Sequence, residues 1–215
     1  MQQKNFAEEY DKSYKKYDFI VQFFQLGRDR KHRIKSLQLA QLKKNDTVLD
    51  ICCGSGLSFS AIQSIIGKEG KIIAVDANKH MLDLARKKAA KNNWNNIVFI
   101  ECDINKSNIN VQADLALFAL CWYDCKICTE WVRHVNHFLK PGTGIFCFID
   151  YKYPQNWIRH IANPVLSLLV KWLGEAYNAE DLKWNPMQEI GSLLINPSYK
   201  TFYLDSIFTI NGRMK

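Results

Sequence analysis

Residues 48 to 59 read VLDICCGSGLSF, and the fold of the chain turns on them. An apolar run reaches a carboxylate at Asp50, passes two adjacent cysteines, Cys52 and Cys53, and enters the turn Gly54-Ser55-Gly56. A strand that passes through glycines into a helix is suited to cradling a ligand. Glycine allows close backbone approach, and the following helix directs its first N–H groups at whatever is bound. A phosphate loop would need Gly-Lys-Ser/Thr, and no lysine is supplied here. A dinucleotide turn would need a third glycine where Phe59 stands, and a phenylalanine there predicts a helix pushed off its strand. An acidic residue, Asp76, does follow at about the distance of twenty residues that a ribose contact asks for.

Outward from this turn, short β-rich runs alternate with helical ones. TVLDI, KIIAVD, NIVFIEC, DLALFALC and GIFCFID are predicted strands. GLSFSAIQSIIG, NKHMLDLARKKAAKNN and CTEWVRHVNHFLK are predicted helices between them. Continuous apolar strands alternating with helices predict a parallel sheet covered on both faces. The end, YKTFYLDSIFTINGRM, reads as two strands joined at Leu204-Asp205, an antiparallel hairpin. NPMQEIGSLLI reads as a helix capped by Asn185, with Pro186 at its first position. At the other end, Phe6, Tyr10, Tyr14, Tyr17, Val21 and Phe24 recur at helical spacing, and a second helix runs through Ile34, Leu37 and Leu42. The expectation is one domain over 1–215: N-terminal helices to 45, a cofactor-binding core over 46–150, and substrate-side helices with the hairpin over 151–215.

With 47% apolar and 23% charged residues the composition suits a globular domain, and no run of about 18 apolar residues predicts a spanning helix. The first residues form no secretory signal, so the seven cysteines are expected as reduced thiols in a cytoplasm. The net charge is +8, and the first 45 residues, with eleven Lys/Arg against five Asp/Glu, carry most of it. RDRKHRIK, 28–35, is the densest part. It suits a solvated helix face, or a surface that meets phosphate in nucleic acid or lipid headgroups.

A ligand that needs close backbone approach and a ribose clamp, but presents no pyrophosphate, fits the glycine turn best, and S-adenosylmethionine is such a ligand. A carboxylate such as Asp76 can accept both ribose hydroxyls, and Asp103, after the third strand, can accept from an adenine amino group. Asp50 and Asp103 also suit ordinary cap or turn roles. In order along 46–150, VLDICCGSG, IIAVDANKHML, IECDI and FLKPGTGIFCFID resemble the motifs of the class I S-adenosylmethionine-dependent methyltransferases. The resemblance implies a Rossmann-like α/β sheet, mostly parallel, with a C-terminal antiparallel hairpin, helices on both faces and an N-terminal helical lid. It implies cofactor contacts from Asp50, Cys52, Gly54, Gly56, Asp76, Ala77, Met81, Asp103, Ile104, Ala119 and Leu120. Cys52 replaces the family's usual first glycine, which is tolerable where that position keeps a negative φ.

Catalytic groups are weakly specified, because methyl transfer from a sulfonium mainly needs alignment, with a base only where the nucleophile holds a proton. Tyr17, Trp122, Tyr123 and Asp150 are the candidates. Cys121, Cys125 and Cys128 lack a complete zinc ligand set, and no metal is expected. Within the family the layout resembles ubiquinone/menaquinone C-methyltransferases and bacterial phospholipid or betaine-lipid N-methyltransferases. Tyr17-Asp18 and Gly27-Arg28 loosely match the former, whereas ALCWYD departs from their motif. The acceptor is therefore expected to be small or lipid-like. Contact with an anionic membrane would come through the basic helix and the apolar stretch Trp157 to Leu173. An RNA methyltransferase and a non-catalytic S-adenosylmethionine-binding subunit stand as alternatives.

Overall fold

A computed structural model describes residues 28–104, 109–120, 131–152, 154–161, 163–165 and 186–215. The expected helix over Phe6 to Phe24 lies outside them, as do Tyr17, Trp122, Tyr123 and the cysteines at 121, 125 and 128.

Helix α1 (Asp29–Leu39) leads into β1 (Thr47–Ile51), α2 (Phe59–Ile66), β2 (Lys71–Asp76), α3 (Lys79–Lys91) and β3 (Ile97–Glu101). β4 (Leu115–Ala119) and β5 (Ile145–Tyr151) follow, then a one-turn helix α4 (Pro186–Glu189) and the hairpin β6 (Leu194–Phe202) and β7 (Ile207–Met214). The seven strands form one sheet in the order β3-β2-β1-β4-β5-β7-β6. β1 to β5 are parallel, and β7 runs antiparallel to both β5 and β6. The strand–helix alternation predicts the parallel part of this sheet, and the C-terminal hairpin predicts its antiparallel part.

Both faces of the sheet are apolar because both are covered. Leu49, Ile51, Ile73 and Val75 point to a core shared with Val132, Val135, Phe138 and Ile190. Their strand neighbours Val48, Ile72 and Ala74 point the other way, onto Leu37 of α1, Phe59 and Ile62 of α2, and Leu82 of α3. Burying a side chain such as Phe59 contributes about 1.5–3 kcal/mol, so the two layers together define the fold's stability. Local signals agree with this packing. The Asn78 side chain caps α3 by accepting the Met81 N–H, and Gly67 ends α2 at φ 72.

The C-terminal segment departs from expectation. The predicted helix NPMQEIGSLLI is helical only over Pro186–Glu189, tightens into a 3-10 turn at Gly191–Leu193, and becomes strand from Leu194. Pro197 lies inside β6, and the pairing slips between Ile195 and Ser198. An edge strand tolerates a missing N–H donor, which is why proline can stand there. No described helix is long and apolar enough to cross a membrane.

Candidate active site

Because β1 to β5 are parallel, their carboxyl ends lie on one edge of the sheet, and every described candidate except Met81 lies in the last two residues of one of these strands or follows it. After β1 the chain takes left-handed backbone at alternate residues: Cys52 at φ 53, Gly54 at φ 55 and Gly56 at φ 76. Alternation of this kind curls successive N–H groups toward a common concavity, a nest for polar ligand atoms. Cys52 therefore does not keep the negative φ expected of a non-glycine. A cysteine holds the conformation that the family's usual glycine would take without strain.

The bend is anchored on the neighbouring strand. The Cys53 N–H donates to the Val75 carbonyl at 3.0 Å, and the Gly56 N–H donates to the Cys53 carbonyl at 2.9 Å. Phe59 does not simply wedge the helix away. Its ring is fully buried, edge-on to Trp94 and Phe99. Gly56 leaves room for it: a Cβ at Gly56 would stand 2.4 Å from the ring.

Asp76, at the end of β2, accepts the Gly54 N–H at 2.8 Å through Oδ2 and the Asn78 N–H at 2.9 Å through Oδ1. Burial raises its pKa, against the pull of these two N–H groups. Each oxygen keeps a further lone pair for a ligand hydroxyl. Ala77 is exposed beside it, and Met81 is buried with its methyl under Gly54. The Cys102 N–H donates to the Asp76 carbonyl at 3.1 Å, bringing Asp103 and the buried Ile104 to the same edge. Ala119 and Leu120 close it at β4, where the Leu120 N–H donates to Ile149 at 2.8 Å.

Two further carboxyls are buried at this edge. Asp50, 1% exposed, has an Oδ2 with no hydrogen-bond partner, and burial lifts its pKa to about 7, with Arg33 opposing and Asp76 adding to the rise. Asp150 accepts the Tyr151 N–H at 2.7 Å, and burial lifts it to about 8 against that N–H and Arg33. The residue that links them was missed in the sequence, where Arg33 belongs to the exposed basic run. Arg33 is 3% exposed, grips both oxygens of Asp29 through Nε, and donates through Nη1 to Ser58 Oγ at 2.6 Å. The available signal was its spacing: Asp29, Arg33 and Leu37 are four apart and share one helix face.

Elsewhere, His134 and His137 face one another with ring centroids 5.9 Å apart, and His134 packs edge-on against Phe138. Among the described residues no cluster of three or more metal-ligating side chains forms.

The edge thus offers a nest of N–H groups, a carboxylate tied to it, and a surplus of buried carboxyl over cationic groups. That combination suits a ligand with a ribose and positive charge, and S-adenosylmethionine carries both a ribose and a sulfonium.

Comparison with known proteins agrees. The methyltransferase domain family matches residues 42–188. The chain belongs to that family, and its fold is that of the class I S-adenosylmethionine-dependent methyltransferases. A demethylmenaquinone methyltransferase of Bacillus velezensis is 24% identical over 141 residues, covering 64% of this chain and 60% of that protein. The match thus spans well under the whole length of that relative. Among solved structures, a SAM-dependent methyltransferase from Aquifex aeolicus superposes with a TM-score of 0.57 at 17% identity, covering 85% of this chain and 89% of that one. The N-methyltransferase NodS from Bradyrhizobium japonicum, solved with S-adenosyl-L-homocysteine, does so at 0.59 with 13% identity, covering 86% of each. At such identities these structures speak for the fold alone.

Proposed function

We propose that the protein transfers the methyl group of S-adenosylmethionine to a small, quinone-like or otherwise lipid-like acceptor. The observation that carries the reading is the left-handed bend at Cys52, Gly54 and Gly56, joined to Asp76 by a 2.8 Å hydrogen bond. In this reading Asp76 accepts from the ribose hydroxyls, Met81 and Ile104 flank the adenine, and Asp103 accepts from its amino group. Gly54, Gly56 and Cys52 admit the methionine portion, while Ala77, Ala119 and Leu120 line the rest. Asp50, with its orphan oxygen, meets the positive end of the cofactor. The cofactor supplies an activated methyl, and the chain's task is to align it and exclude water.

In this reading Asp150 takes any proton that the acceptor gives up. A carboxyl lifted to about 8 is half-ionised only near pH 8 but binds a proton more strongly than an ordinary carboxylate, as a base for a phenol-like or quinol acceptor should. Tyr17, Trp122 and Tyr123 remain candidates for acceptor contacts. The quinone assignment draws on the name of the Bacillus velezensis relative and on the resemblance noted above. The name of that relative supports neither an RNA acceptor nor a non-catalytic role. In this reading the protein works in the cytoplasm, at the face of the membrane that would hold a lipid-like acceptor.

The test is calorimetric titration with S-adenosylmethionine, followed by turnover with demethylated quinols, phospholipids and RNA in parallel. Binding with methylation of a quinol supports the full reading. Binding with methylation of RNA alone overturns the acceptor, and tighter binding of NAD overturns the cofactor.

A further inference from the structure

Four large apolar side chains stand out in water at one end of the molecule: Trp157 at 83%, Ile161 at 73%, Leu204 at 65% and Val165 at 51% exposed. Trp157 stands in the turn that opens helical residues 159–161, which include Ile161, and Val165 stands in helical residues 163–165, with four residues from each of the three to the next. Leu204 joins them from the β6–β7 turn. Asn156 Nδ2 donates to the Leu204 carbonyl at 3.3 Å, and the Gln155 N–H donates to Asp205 at 3.0 Å.

The turn that presents Leu204 is strained. Tyr203, Leu204 and Asp205 are all left-handed, at φ 46, 57 and 70, against the steric preference of L-residues. Polar groups hold it: Lys152 pairs with Asp205 at 2.7 Å, and Ser206 Oγ donates to the Tyr203 carbonyl. Tyr203 and Phe202 in turn pack on His32 of α1, with the His32 and Phe202 rings stacked at 5.6 Å. The apolar patch is therefore continuous with the basic helix.

Charge along this end is one-sided. Arg28, Arg30, Lys31 and Lys35 are exposed, while Arg33 turns inward. Among the described residues of these elements the carboxylates, Asp29 and Asp205, are held by Arg33 and Lys152. β7 starts opposite the end of β5, with Ile207 paired to Tyr151. The patch thus rims the same edge of the sheet as the cofactor cleft.

We infer that the surface made by Trp157, Ile161, Val165 and Leu204, flanked by the basic residues of α1, docks the protein on an anionic lipid bilayer. Projecting apolar side chains enter the headgroup boundary while lysines and arginines meet anionic headgroups, and neither element alone explains both features. The inference rests on the proposed function only for its use: a lipid-like acceptor would reach the cleft from the bilayer beside it.

Flotation with phosphatidylglycerol/phosphatidylcholine vesicles, against phosphatidylcholine alone, is the test. The protein is expected to bind the anionic vesicles, to release as salt rises, and to ignore the neutral ones. Changing Arg28, Arg30 and Lys31 together to glutamine should weaken binding about a hundredfold. Trp157→Ser with Leu204→Ser should weaken it at least about tenfold. Binding of S-adenosylmethionine, measured on the same samples, should be unchanged in both variants. Absence of vesicle binding at low salt by protein that binds S-adenosylmethionine overturns the inference, as does undiminished binding of either variant. A dimer in sedimentation that Trp157→Ser dissolves would reassign the face to self-association. Vesicle binding without S-adenosylmethionine binding would instead remove the proposed function and leave this surface standing.

Discussion

Asp76 and Gly54 are joined across two strands, the carboxylate Oδ2 accepting the glycine N–H at 2.8 Å. One side chain therefore shapes the glycine bend before any ligand arrives, and in the proposed function its remaining lone pairs receive the ribose hydroxyls. Asp76→Ala should lose both functions. S-adenosylmethionine affinity is expected to fall by about 1.5–3 kcal/mol, the usual worth of hydrogen bonds to a charged group. Asp76→Asn, which keeps one acceptor oxygen, should fall in between. Calorimetry finding parental affinity in Asp76→Ala would remove the ribose assignment.

Cys52 holds left-handed backbone at φ 53, where a side chain costs about 1–2 kcal/mol. Glycine relieves that strain but gives back roughly 0.5–1 kcal/mol of chain entropy. Cys52→Gly should therefore be neutral to mildly stabilising, and Cys52→Val, with a β-branched side chain, clearly destabilising. Denaturant midpoints measure both. A large loss in Cys52→Gly would mean that the thiol's packing outweighs the backbone.

Gly56 and Gly67 form a steric contrast. Both are left-handed, but a Cβ at Gly56 meets the Phe59 ring at 2.4 Å, whereas one at Gly67 meets nothing within 4 Å. Gly56→Ala should cost several times what Gly67→Ala does, and should also lower cofactor affinity. Gly67→Ala should cost about 1 kcal/mol and leave affinity alone. Thermal unfolding with and without S-adenosylmethionine separates the two outcomes.

The buried carboxyls set a pH dependence. Burial holds Asp50 at about 7 and Asp150 at about 8, above their ordinary 3.8. Arg33 opposes both shifts, the Tyr151 N–H opposes that of Asp150, and Asp76 adds to that of Asp50. The folded state therefore holds more protons than the unfolded chain. The stability linked to these groups is fully present below about pH 4 and is lost as pH rises through 7 and 8. A cationic ligand favours the ionised carboxylates, so S-adenosylmethionine should release protons on binding and bind more tightly toward pH 8. Titration heats in buffers of different ionisation enthalpy check this; heats that do not vary with the buffer would count against it.

The sheet and the cofactor edge were legible in the sequence because local rules govern them. Apolar runs such as KIIAVD, two glycines and a strand-end carboxylate announce a strand, a bend and a carboxyl at the sheet's edge through patterns a few residues long. Asn78 as a cap and Gly67 as a helix end are equally local. Where the reading failed, distant contacts decided. Arg33 belongs by composition to a solvated basic run, yet it is buried because Asp29 and Ser58 satisfy its guanidinium while Asp50 and Asp150 lie near it. Leu194 and Ile195 carry a helical context, yet they extend because β7 offers them partners. Cys52 gives no sign of its left-handed backbone, which the anchor of Cys53 on Val75 and the tie from Gly54 to Asp76 enforce. Periodicity and turn chemistry act along the chain, so the sequence by itself determined the parallel strands, their helices and the edge at which the candidate site lies. Charge burial, strand pairing across long separations and backbone strain depend on neighbours far away in sequence, and only the tertiary structure could decide them.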